Sequence, residues 1–355
     1  MKVGIVTLHN THNCGSYLQA IALCEYVKSI GYDARFVKNK PHFGSTPVYK
    51  FMQASKYLLK GDLKKASFIM KGCSEFIKAR KKQAYFSSLK GLSAAIYGSD
   101  TIWNINSTYL RKQQKHYFGE NNNGFKIAYA PSIGETSVET ISSIPALCKA
   151  INNFSALSVR DEKTYNVVAT AVGGNADITY VVDPTMLMPK SFYLQMAKEC
   201  HDDNFILFYY FGSIDKAYME QIKKYASENG KKLICFGDNI KEADKQIPFN
   251  PLDMLGYYSK ADMVITNTFH GNVFSIIFNK QFVNIDAGKS KVDDLLEGFG
   301  LTERTAKSAD DIGGIFCSKI DFDNVNSILE EKRAASGKYL ENALLECERR
   351  TCDAR

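Results

Sequence analysis

Short apolar runs alternate with amphipathic helical stretches along nearly the whole chain, and few folds accept that rhythm. It predicts βαβ units and parallel sheets. The expected strands of the first half are Val3–Leu8, Ala34–Val37, Ala94–Tyr97, Lys126–Tyr129, Ala156–Val159 and Tyr180–Val182. Helices are expected between them at Ser16–Ile30, Val138–Ile151 and Glu162–Ala171. After Asp183-Pro184 the stretch to about Asn204 reads as a crossover, and the pattern restarts. Strands are expected at Phe205–Phe211, Lys232–Phe236, Met263–Thr266 and Phe282–Asn284, with helices at Lys216–Asn229, Leu252–Ser259 and Asn272–Phe278. A chain of 355 residues exceeds one usual core. The expected fold is α/β: two Rossmann-like domains with parallel sheets, facing across a cleft. Residues 1–185 form the first, with a helical insertion at about 41–90. Residues 186–320 form the second. Residues 321–355 read as a terminal helix returning to the first domain.

Composition narrows the function. No segment approaches the roughly 18 apolar residues of a membrane span. The start, Met1 to Val6, lacks the apolar stretch and cleavage site of a signal peptide, so a cytoplasmic location is expected. Nine scattered cysteines without a C-x-x-C pair read as free thiols. No Cys/His/carboxylate spacing resembles a zinc site, so no metal is expected; His9 and His12 are expected to shape or line a turn. The net charge of +7 is local. Residues 50–90 hold eleven Lys and Arg against Asp62 and Glu75. Two helical patterns, Val48–Leu59 and Leu63–Leu89, fill this stretch. It reads as a solvated helical face or as a peripheral contact with an anionic acceptor or membrane surface. Nothing resembles a nucleic-acid module.

Candidate site residues sit where strands end, the ligand edge of an open α/β sheet. His270 and Gly271 fall where an apolar strand meets a helix, and helix N-termini favour anions. Histidine exchanges protons near neutrality. Arg160 ends the strand Ala156–Val159; it suits an anion clamp, or an ion pair with Asp161, Glu162 or Asp183. Lys289 and Lys291 follow another strand and either reach the same cleft or stay solvated. Asn13 and Gly15 lie in the first βα turn, where glycine permits close backbone approach. A lone glycine is no G-x-G-x-x-G fingerprint, so no nucleotide site is indicated. Asp100, Trp103 and Asn104 follow a further strand. Asp100 is a candidate base or a helix cap. Trp103 either stacks on a sugar face or belongs to the core.

The same words carry a resemblance. Asn267-Thr268-Phe269-His270-Gly271, continued by Phe274-Ser275-Ile276-Ile277-Phe278-Asn279-Lys280, resembles the C-terminal signature of the polysaccharide pyruvyl transferase family. Asn13-Cys14-Gly15-Ser16-Tyr17-Leu18-Gln19-Ala20 resembles its first βα turn. Gly98-Ser99-Asp100-Thr101-Ile102-Trp103-Asn104, Tyr129-Ala130-Pro131-Ser132-Ile133-Gly134, Ser158-Val159-Arg160-Asp161 and Val182-Asp183-Pro184-Thr185 resemble further blocks in the same order. The resemblance runs from about Met1 to Leu301. It implies a GT-B-like arrangement and transfer of a pyruvyl group from phosphoenolpyruvate to a sugar as a ketal. The acceptor would be a glycan or lipid-linked sugar of exopolysaccharide, capsule or cell-wall synthesis. No cofactor is implied. His270 would do acid/base work or hold phosphate, with Asp100 as the acceptor's base. Arg160, Lys289, Lys291, Gly271 and Thr268 would meet the donor. Asn13, Gly15, Trp103 and Asn104 would meet the acceptor. Some members have arginine two residues before the signature histidine, where this chain has Thr268, so that charge must come from elsewhere, for example Lys289 or Lys291. Two other readings stay open: a glycosyltransferase using a nucleotide sugar in the same frame, and a non-catalytic glycan-binding protein of the same pathway.

Overall fold

Seven parallel strands build the first sheet of the computed structural model, which describes residues 1–174, 177–237 and 240–353. They are β1 (Lys2–Val6), β2 (Asp33–Val37), β3 (Tyr85–Phe86), β4 (Ala94–Tyr97), β5 (Phe125–Ala128), β6 (Ala156–Val159) and β7 (Ile178–Tyr180), in the order β3-β2-β1-β4-β5-β6-β7. Six more form a second parallel sheet. They are β8 (Phe205–Tyr209), β9 (Lys232–Phe236), β10 (Lys245–Ile247), β11 (Met263–Thr266), β12 (Gln281–Ile285) and β13 (Thr305–Ala306), in the order β10-β9-β8-β11-β12-β13. These central strands read as unbroken apolar runs because helices cover both faces; all five residues of β8 are buried.

Each sheet reverses its strand order once, between β1 and β4 and between β8 and β11. Val6 pairs with Tyr97 at the first reversal, and Tyr209 with Thr266 at the second. Loops leaving neighbouring strands there run to opposite faces and open a crevice. The two crevices face each other, which is the GT-B-like arrangement of two Rossmann-like domains.

Local chemistry moves several boundaries. The expected helix 138–151 is two, Val138–Ser142 and Pro145–Asn152, because proline opens a helix but cannot continue one. The helix from Leu63 ends at Arg80, and Tyr85–Phe86 becomes an edge strand. The sixth expected strand, Tyr180–Val182, is instead Ile178–Tyr180. Val182 leaves the ladder because its N–H donates to Ser336 Oγ at 2.9 Å. Ser336 belongs to the last helix, Phe322–Asp353, which lies along the first domain. Residues 354–355 of the expected terminal segment lie outside the described residues.

Candidate active site

The helix after β11 begins at Phe269, three residues earlier than expected. Thr268 causes this, since its Oγ accepts the Gly271 N–H at 2.9 Å and caps the helix. His270 therefore sits in the first helical turn, aimed out of the second domain. It meets the first turn of the helix Cys14–Ser29, where a Cβ added to Gly15 would lie 2.2 Å from His270 Nδ1. The two helix N-termini thus oppose each other across the cleft. Asn13 caps the first of them by accepting the Ser16 N–H.

A cavity of about 260 Å³ lies between these turns. Asn13, Ser16, Asp100, Thr101 and Arg160 line it from the first domain. Tyr209, Phe211, Thr268, His270, Lys289 and Lys291 line it from the second. Seven of the eleven expected residues therefore converge, with Arg160, Lys289 and Lys291 as a cationic wall.

Behind that wall lies a buried ionic cluster. Arg160 Nη1 bonds to Asp183 Oδ2 and donates to Ser99 Oγ at 2.8 Å. Asp183 Oδ1 accepts from the Thr185 N–H and hydroxyl. The Arg160 and Asp183 side chains are 2% and 0% exposed. The arginine is thus both part of the cavity wall and the counter-ion of a buried aspartate, as one open alternative expected. Its guanidinium lies 4.6 Å from the Phe269 ring centroid. Removing one partner of such a pair costs about 3–5 kcal/mol, because the other charge is stranded.

His270 Nε2 lies 3.8 Å from Asp183 Oδ2 and has no hydrogen-bond partner. Burial pushes the imidazole pKa down, and Arg160 and Lys291 push the same way; Asp183 and Asp100 oppose them without reversing the shift. The ring is held neutral at pH 7. Asp100 accepts the Ser16 hydroxyl on Oδ2 and the Thr101 N–H on Oδ1 at 2.7 Å. Burial would raise its pKa, yet the field of His270 in its protonated form, the field of Arg160 and these two bonds together bring it below the usual value. An ionised Asp100 is a weak base and a good hydrogen-bond acceptor. It caps no helix, and its backbone adopts φ +73°, a region asparagine and aspartate tolerate best. Burial also lowers the Lys291 pKa, with Arg160 adding to it. Lys289 Nζ donates to the Asn267 carbonyl at 2.8 Å, and its pKa too is lowered by burial.

Other expected residues fall elsewhere. Trp103 is fully buried, stacked on Phe118, with its indole N–H donated to the Tyr117 carbonyl. It cannot reach a sugar; the expected stacking role is corrected to a core one. Gly15 does not line this cavity; its missing side chain makes room for His270. Gly271 is likewise a packing glycine, since a Cβ there would lie 2.0 Å from Thr266 Oγ1. Asn104 accepts from the Thr136 hydroxyl and lines a second cavity of about 430 Å³. That cavity shares Leu8, Asn13, Ser16 and Thr101 with the first. Ser16, Ser99, Asp183, Tyr209 and Phe211 were not among the expected site residues. Ser16, Ser99 and Asp183 lie inside the family-like blocks, which was their available signal. Among the described residues no three His, Cys, Asp or Glu side chains group as a metal site.

Comparison with solved structures gives the same two-domain frame. Os79 of O. sativa, in complex with UDP, is similar at TM-score 0.52 and 8% identity, covering 96% of this chain and 99% of that one. The UDP-GlcNAc 2-epimerase of Neisseria meningitidis bound to UDP-GlcNAc is similar at TM-score 0.52 and 9% identity, covering 98% and 100%. S. aureus MnaA with UDP is similar at TM-score 0.51 and 10% identity, covering 97% and 95%. Likenesses at such identity show the fold alone. No curated protein matches the chain in sequence. The family model described as polysaccharide pyruvyl transferase matches residues 13–288, from the first helix cap to the loop after β12, and the chain belongs to that family.

Proposed function

We propose that the protein transfers the pyruvyl group of phosphoenolpyruvate to two hydroxyls of a sugar in a glycan precursor, forming a cyclic ketal and releasing phosphate. One observation carries this reading. Arg160, Lys289 and Lys291 converge on the cavity where His270 Nε2 has no partner and Asp100 stays charged. A donor with a carboxylate and a phosphate needs such a wall, and the lysines offer the charge that Thr268 does not. The opposed helix N-termini add N–H groups of the same sign. Phosphoenolpyruvate is a cytoplasmic metabolite, so this reading puts the work in the cytoplasm.

The steps follow from electron demand. The donor's negative charge raises the His270 pKa, and the ring takes up a proton. It delivers that proton to carbon 3, where the C=C π electrons form the new C–H bond. Carbon 2 becomes electrophilic, and the first sugar hydroxyl bonds to it, returning its proton to His270. Asp100 accepts a hydrogen bond from the acceptor. The carbon 2–phosphate bond then breaks, phosphate leaving with the electron pair. The second hydroxyl closes the ring and its proton goes to phosphate. Neither a metal nor a redox cofactor is required by these steps. The 430 Å³ cavity, walled by Asn13, Thr101 and Asn104, suits the acceptor.

The test is phosphate release from phosphoenolpyruvate with candidate oligosaccharide and lipid-linked acceptors, with the ketal methyl group followed by NMR. Acceptor-dependent phosphate release with a new methyl signal is expected. Tight binding of a UDP-sugar with no response to phosphoenolpyruvate would overturn the reading in favour of a nucleotide-sugar transferase.

A further inference from the structure

The helix Pro47–Leu59 carries its apolar face on the wrong side for a soluble hairpin. Its buried position is Ala54, and the helix packs against the helix Leu63–Arg80. Val48, Phe51, Met52, Leu58 and Leu59 point to solvent, at 47–89% exposed for Leu58 and Leu59. Spacings of three, four and seven residues put them in one stripe. Phe43 before the helix and Leu63 after the turn are exposed as well. Of the thirteen large apolar side chains exposed among the described residues, nine lie between Phe43 and Met70. Scattered exposed apolar residues need no cause, but a continuous stripe does.

Cations flank the stripe. Lys56, Lys60 and Lys64 are exposed, and among the described residues they pair with no carboxylate. The two acids within residues 50–90 are engaged. Asp62 caps the second helix through the Lys65 N–H, and Glu75 pairs with Lys78 and Lys198. The face is therefore apolar along its length and positive along the edge that Lys56 and Lys60 occupy.

We propose that this hairpin docks on an anionic lipid bilayer, with the apolar stripe in the headgroup boundary and the lysines on lipid phosphates. Interfacial helices combine an apolar face with lysine-rich flanks in this way. Protein interfaces instead deplete lysine in favour of arginine and aromatics. A second copy would bring like-charged edges together. Among the described residues no helix is long and apolar enough to cross the membrane, so the contact is peripheral. Lys50 of this helix, with His42 and Ser45 just before it, also walls the 430 Å³ cavity. Docking holds that cavity beside the bilayer, where a lipid-linked sugar would be presented; this consequence rests on the acceptor reading above, while docking does not.

Vesicle co-sedimentation of the full chain, without donor or acceptor, tests it. Binding to phosphatidylcholine vesicles containing about 30% phosphatidylglycerol is expected, with weaker binding to phosphatidylcholine alone and loss at high salt. The Phe51→Glu/Leu59→Glu variant should bind tenfold less or worse, with an unchanged melting temperature because both side chains are exposed. Neutralising Lys56, Lys60 or Lys64 to Gln should each lose about fivefold, the equivalent of about 1 kcal/mol. A wild-type chain that stays in the supernatant with both vesicles overturns the proposal. So do variants that sediment as wild type, or a dimer in sedimentation velocity that Leu59→Glu dissolves while vesicles stay unbound. Phosphate release with a soluble acceptor is independent of these outcomes, so it separates failure of docking from failure of the transfer reading.

Discussion

Gly15 has no side chain because His270 fills the space one would take. A Cβ there would sit 2.2 Å from Nδ1, 2.3 Å from Cγ and 2.7 Å from Cβ of the histidine. In an α-helix alanine is otherwise better than glycine by about 1 kcal/mol. Gly15→Ala should therefore keep the helix, shown by circular dichroism, and still cost turnover about 10²-fold, the usual scale for a small misplacement of a reacting group. Unchanged turnover would mean that the position of His270 is not used in the reaction. The sequence showed that Gly15 permits close approach; it could not show that the approaching group is a side chain of the other domain rather than a ligand. The His270 ring allows a second expectation. Its pKa lies below the ordinary value, so it is neutral at pH 7 and gains charge as pH falls through its folded pKa. Calorimetric affinity for phosphoenolpyruvate should then rise towards acid in the wild type relative to His270→Gln, by about tenfold for a change worth one pKa unit. Comparing the two proteins removes the donor's own titration. Parallel pH profiles would rule out charge on His270 as a donor contact.

The element that aims the site is the helix Phe269–Ile277, and its start depends on one hydroxyl. Thr268 Oγ caps the Gly271 N–H and lies 3.0 Å from Thr266 Oγ1, the group that also fills the space over Gly271. Thr268→Ala should cost about 1 kcal/mol in urea unfolding, and Thr268→Ser should keep most of that, because only the hydroxyl is needed. Equal losses in the two variants would assign the effect to the methyl group's packing instead. Buried strands were legible in the same physical way. Ala94–Tyr97, Ala156–Val159, Lys232–Phe236 and Met263–Thr266 are short apolar runs bounded by polar corners, and the structure keeps each boundary. The edge strands Tyr85–Phe86, Lys245–Ile247 and Thr305–Ala306 have two or three residues and too little pattern to be seen. The Trp103 ring was ambiguous because a strand end serves a core and a cleft equally well. Only the Phe118 and Phe154 rings packed around it decide for the core.

At the scale of the molecule, the two halves of the site belong to different domains, so something must hold them in register. The last helix is one element that spans both, beside direct bonds such as Lys198 and Asn250 to Glu75 and the Glu162 N–H to Asp294. Just before that helix, the Ile320 N–H donates to Gln281 Oε1 of the second sheet, and Lys332 lies 5.9 Å from the Phe299 ring centroid. Arg333 Nε then donates to the Met186 carbonyl, Ser336 accepts the Val182 N–H, and the Tyr339 hydroxyl donates to the Ala128 carbonyl at the end of β5. The Val182 bond is one residue from Asp183, the counter-ion of Arg160. The strap therefore reaches the back of the cavity as well as both sheets. Leu340 and Leu344 are fully buried in its first-domain half. Truncating each to alanine leaves a cavity and costs about 2–5 kcal/mol. The loss should fall mainly on the first domain, because Leu340 and Leu344 lie in the part of the helix that bonds to Val182, Ala128 and Tyr26, beyond the contacts of Lys332 and Arg333 with the second domain. In Leu340→Ala/Leu344→Ala, calorimetric melting should split, with the first domain unfolding at lower temperature and the second close to its wild-type midpoint. Turnover should fall below the temperature of the first transition, since loosening the strap separates Arg160 and Asp100 from His270 before either domain unfolds. A single transition, shifted or not, with activity retained up to it would show that the cleft contacts alone couple the domains and that the helix only covers a hydrophobic face.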